Sequence, residues 1–321
     1  MTVSRARFLM LLGVLLYGAG GSVQAQVTAA TAAGSSDAEV VRSADELWYA
    51  TSRMGMADGG AAALAGHRRI IDMLAPLVTR SSAEPGAYWM IARSKYDIGE
   101  ILSRTPDEAK KNEAERLKLY AESLKVAQTC VQKIAPNDGN CWFWIGTSLG
   151  RQSTAKGVLN SLFSAKEVEK AWLRALELKP SYRTMGGEPQ MNNIRYGLGV
   201  FYRMVPDSWL VRLVAGVRGD IAKGVTYFRE AVDVEPNRIE LRKELAVALL
   251  CQAERTDEAA AAAEARGHLE SIAAGKYEGL DPRNTDATDK RHAVELLKNP
   301  AIACGYSRDG VQDLDESKIK R

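Results

Sequence analysis

The chain is poor in the residues that carry chemistry on their own. Its 321 residues hold three histidines, His67, His268 and His292, and four cysteines, with no Cys-x-x-Cys spacing among them. Zinc ligands come in close pairs, so no metal is expected. No G-x-x-x-x-G-K-[ST] phosphate loop and no G-x-S-x-G nucleophile elbow occurs. The acidic residues fall in charged helical stretches, where solvation is the default. No catalytic residue, enzyme activity or cofactor is therefore expected. A clustered basic excess is also missing, which excludes a nucleic-acid footprint. Strict alternation of β-branched and polar residues is absent, which argues against a sheet. After the first 25 residues no apolar run is long enough to span a bilayer.

The one long apolar run stands at the start. Arg5 and Arg7 precede it, residues 8–17 are apolar with a single glycine, and Val23-Gln24-Ala25 is a small-residue cleavage site. This is the pattern of a signal peptide, 1–25, with cleavage near Ala25-Gln26 and a periplasmic or secreted product. The run is about half of the ~20 residues that a membrane anchor needs. No cysteine follows the cleavage site for lipid attachment. Removing Arg5 and Arg7 from the 43 basic residues leaves 41 against 40 acidic ones, a nearly neutral exported chain. Residues 26–36 are small and polar, and read as a disordered leader.

From residue 37 to about 300 the pattern is helical, and its punctuation repeats. Residues 175–180 read A-L-E-L-K-P, residues 231–236 read A-V-D-V-E-P, and residues 131–136 read V-Q-K-I-A-P. Each is a helix end closed by a proline. Trp142, Ile145 and Gly146 follow Pro136 where a tetratricopeptide unit places its large residue, leucine and glycine. The fold class expected is thus all-α, a tetratricopeptide-like array of four to five helical hairpins. The prolines are 44 and 56 residues apart, against ~34 in a regular array. The excess lies at residues 150–164, 181–190 and 204–219, and such insertions usually gather on a binding face. Helix starts are read at Ser43 (or earlier, across Ala38-Glu39), Pro85 and Pro106, the last opening a helix to about residue 134. Gly59-Gly60 breaks the chain, and Pro76 is expected to end or kink its helix. A capping helix is expected over 286–297, and residues 301–321 read as a C-terminal tail.

An oxidising compartment permits disulfides. Cys130 near one helix end and Cys141 near the next helix start suggest one bond, which leaves Cys251 and Cys304 for a second. Four buried thiols are the alternative.

Residues 85–97, P-G-A-Y-W-M-I-A-R-S-K-Y-D, contain W-x-x-A-R-x-x-Y. A charged helix to Pro136, an aromatic helix over 141–150, the A-L-E-L-K-P end, Leu198-Gly199, Ser208-Trp209-Leu210 and the Y-F-R-E-A of residues 227–231 follow in order. Over roughly residues 40–250 this resembles the regulator of microtubule dynamics family. The resemblance implies a non-enzymatic helical-repeat protein. Eukaryotic members are linked to microtubules and organelle membranes, whereas an export leader would place this chain elsewhere. A second similarity, in Leu178-Lys179-Pro180-Ser181-Tyr182 and Leu198-Gly199-Val200-Phe201-Tyr202, is to the lipid-anchored periplasmic T-component of tripartite transporters.

The function expected is an exported scaffold for protein–protein interaction, holding a protein or peptide of unknown identity in a groove made by first helices. The alternative is a ligand-binding accessory protein of a transporter with an apolar cavity; an enzyme of unknown type is a third reading. Candidate partner-binding residues are Trp89, Arg93, Tyr96, Trp144, Arg151, Tyr196, Arg203 and Trp209. Aromatic groove or interhelix packing, and arginine grip or solvated ion pair, are the competing readings of these residues. Trp142 and Trp144 cannot both face one core, so one is a surface candidate. As a helix, residues 209–217 show Trp209, Leu210, Leu213, Val214 and Val217 on one face. That face could pack over the repeats or dock a partner helix or membrane surface through 204–219.

Overall fold

The computed structural model describes residues 35–53, 60–103, 105–155, 158–183, 189–278 and 286–306. The signal peptide, nearly all of the 26–36 leader, the rest of the tail and part of the 150–164 and 181–190 insertions lie outside them. The described chain is all-α, a helical repeat array. Its helices are α1 (Asp37–Arg53), α2 (Ala61–Thr79), α3 (Pro85–Ile101), α4 (Pro106–Lys111), α5 (Glu113–Thr129), α6 (Gly139–Ala155) and α7 (Val158–Leu178). Then follow α8 (Gln190–Met204), α9 (Trp209–Ala215), α10 (Ile221–Val234), α11 (Ile239–Thr256), α12 (Ala259–Ala273) and α13 (Asp286–Lys298), closed by a 3-10 turn, Pro300–Gly305.

Among the described residues five hairpins are formed, by α1/α2, α3/α5, α6/α7, α8/α10 and α11/α12. The short α4 and α9 interrupt the second and fourth, and α13 packs on α12 as a cap. The close approach within hairpins depends on glycine. A Cβ on Gly146 would stand 2.6 Å from Trp172, and one on Gly199 would stand 2.8 Å from the Phe228 ring. Trp172 also lies against Gly197, so one indole ties the third hairpin to the fourth. One buried apolar cluster runs from Ala44 to Val217, and a second from Val225 to Tyr306.

Several helix limits differ from the sequence reading, each for a physical reason. α1 begins at Asp37, which settles its start on the earlier of the two read, across Ala38-Glu39, because Ser36 caps it. The Glu39 amide donates to Ser36 Oγ at 3.3 Å and the Ser36 amide donates to Glu39 Oε2 at 2.8 Å, a reciprocal cap. α2 runs through Pro76 to Thr79, because burial of Leu74 and Leu77 offsets the lost backbone bond. The long helix expected after Pro106 breaks at Asn112, whose side-chain amide donates to the Leu102 carbonyl at 3.0 Å. α9 stops at Gly216, whose φ of 70° ends the helix and turns Val217 into the core. Residues 300–306, read mostly as tail, form a turn with Ile302, Ala303 and Tyr306 buried.

Candidate functional site

The first helices of the hairpins, α1, α3, α6, α8 and α11, offer the face on which a groove is expected. Much of that face is covered by the chain itself. Tyr182, in the segment after α7, reaches back to α1 and α3. Its ring lies 4.8 Å from Trp89 and 6.3 Å from Trp48, and the Tyr49 hydroxyl donates to the Arg183 carbonyl at 2.9 Å. Arg93 sits inside this aromatic group. Its guanidinium lies 3.9 Å from the Trp48 ring centroid, 5.0 Å from Trp89 and 5.1 Å from Tyr182. It donates to the Tyr182 hydroxyl and, at 3.2 Å, to Asp45. Burial pushes the Tyr182 phenol well above its usual range, so it stays protonated.

Trp89 and Arg93 are therefore buried, and neither is open to a partner. Tyr96 is half-buried, 5.5 Å from Trp144. The structure corrects the choice between the two tryptophans: Trp144 is the buried one, while Trp142 is half-buried and donates to the Pro136 carbonyl at 2.8 Å. Arg151 forms a two-point contact with Glu100, at 2.7 and 2.8 Å, and the Tyr120 hydroxyl donates to the same carboxylate at 2.7 Å. Tyr196 is half-buried against Phe228.

At the other end Arg203 is also buried. It donates to the Tyr306 carbonyl at 2.7 Å and to Glu244 at 3.2 Å. Lys243, fully buried, donates to Asp289 at 2.7 Å. Cys251 is bonded to Cys304, and Cys130 to Cys141, with α-carbons 4.7 and 6.1 Å apart. These titratable groups converge, but they are enclosed and paired with one another.

α9 is the opposite case. Trp209 is 72% exposed, Leu210 52% and Leu213 74%. With Met204 they make up most of the exposed large apolar side chains of the described residues. Val217, expected on the same face, is buried, and the Val214 side chain lies outside the described residues. Ser208 caps α9, accepting from the Leu210 amide at 3.2 Å, so the apolar side chains stand on a fixed support. Beside them is a cavity of about 510 Å³ lined by Glu169, Asp207, Arg212, Arg218, Asp220 and Lys223 among others. The Arg218 guanidinium hydrogen-bonds Asp207 and holds its carboxyl below the usual range. Among the described residues no helix is long and apolar enough to cross a membrane, and no acidic, histidine or cysteine group could hold a metal ion.

Of the eight sequence candidates, then, one is a prominent surface group, Trp209. Leu210 and Leu213 belong with it, and the signal for them is an apolar run inside an insertion. The family model described as regulator of microtubule dynamics protein 1-3 matches residues 64–261. No curated protein matches the chain.

Proposed function

Because the chain belongs to the regulator of microtubule dynamics family, we propose that it is a non-catalytic scaffold that acts by holding a protein partner, and that α9 is its principal contact. The observation that carries this reading is the clustering of Trp209, Leu210 and Leu213 on one short capped helix. A large exposed apolar group on a folded domain is costly in water and marks an interaction surface. Tryptophan with flanking arginine is a composition enriched where binding energy concentrates. Arg212, exposed on the same helix, supplies the polar rim.

An export leader at residues 1–25 would deliver the protein to the periplasm or outside the cell, where the two disulfides are stable. The ligand-carrier reading needs an enclosed apolar cavity, and the charged lining of the cavity beside α9 does not favour it.

Affinity capture from an exported fraction tests the proposal, comparing the natural chain with a W209S/L213S variant. A partner retained by the first and lost by the second supports it. Equal recovery by both, or recovery of a small molecule with no protein, defeats it.

A further inference from the structure

The 3-10 turn Pro300–Gly305 packs on α8 and α11, the first helices of the fourth and fifth hairpins, and on α13. The first helices of a helical-repeat array line the surface that receives a partner. The contacts are of the kind a peptide would make. A backbone carbonyl, that of Tyr306, accepts from buried Arg203, and the Tyr306 hydroxyl lies 3.0 Å from His292 Nδ1. Ile302 and Ala303 fill apolar space beneath.

We propose that this face is a peptide-binding surface whose resident occupant is the chain's own 300–306 segment, and that opening the Cys251–Cys304 bond admits a peptide that takes up the same turn and bears a tyrosine. The segment is fixed at one end by α13 and at the other by the disulfide. Two covalent attachments give it an effective concentration that a free peptide cannot match. Cys304 is the partly exposed member of the pair and Cys251 the buried one, so the bond has one side facing solvent from which a dithiol reductant would approach. Two electrons and two protons pass from the dithiol to the pair: the dithiol closes to its own disulfide, and both cysteines end as thiols. One tether then remains, and competition becomes possible. This inference is independent of the α9 surface.

The test uses the full chain, oxidised, beside a C251S/C304S variant that cannot form the bond. The probe is a labelled synthetic peptide repeating residues 298–306 with serine at the cysteine position, followed by fluorescence anisotropy. We expect binding to the variant at least about tenfold tighter than to the oxidised chain, and loss of binding when the peptide tyrosine is replaced by alanine. Equal binding to both proteins, or no binding to a variant that keeps its helical circular dichroism, overturns the proposal. A variant that loses its helices overturns it as well, since the turn would then be a structural cap.

Discussion

The guanidinium of Arg93 lies 3.9 Å above the indole of Trp48, joining the second hairpin to the first. Tyr182 closes the same group from the loop after α7. A residue that could have gripped a partner's carboxylate is thus spent on holding three separated parts of the chain together. Replacing Arg93 with alanine leaves Asp45 without its buried partner and removes the cation from three aromatic rings. The expected loss is about 3 kcal/mol of unfolding free energy, read by urea titration. R93K should recover only part of it, because an ammonium does not stack as a planar guanidinium does.

Two glycines on helices should respond in opposite directions. Gly146→Ala places a methyl 2.6 Å from Trp172 and should destabilise by about 1–3 kcal/mol. Gly267→Ala, in α12, meets nothing within 4 Å and should stabilise by about 0.5–1 kcal/mol. Thermal unfolding of the two variants beside the natural chain decides this.

His67 is buried, and desolvation lowers its pKa from the usual 6.5, opposed by Asp97 at 3.7 Å. The unfolded chain therefore takes up the proton first. Stability contributed by neutral His67 is present above about pH 6.5 and falls as pH drops below it. Denaturant midpoints measured from about pH 7.5 to 5.5 should decline, and the slope should be smaller in His67→Gln. An unchanged slope would remove His67 from the account.

The α9 side chains should matter little to folding. W209S/L213S is expected to change the unfolding free energy by less than about 0.5 kcal/mol, since neither side chain leaves water on folding to any large extent. Equilibrium unfolding of the double variant checks this, and a large loss would place both residues in the core.

The array is legible in the sequence where local signals suffice. Pro136, Pro180 and Pro236 mark helix ends, and Gly146 with Trp172 marks a close helix pair, because each obeys short-range sterics. Pro76 does not end its helix, since tertiary burial of Leu77 outweighs a local cost. The covering of the first-helix face is not legible. Tyr182 meets Trp48 across 134 residues, and Tyr306 meets Arg203 across 103, and periodicity carries no information on such distant pairs. Trp209 is legible as an apolar insertion residue, but which of its neighbours turn inward depends on Gly216 ending the helix.

The most direct test of the scaffold account places a photo-activated cross-linking residue at Leu213 and, as a control, at exposed Glu258 in the fifth hairpin. A scaffold that binds through α9 gives a discrete protein adduct from position 213 and none from position 258. The same adducts from both positions, or none from 213 in a fraction where the folded protein is present, would contradict it.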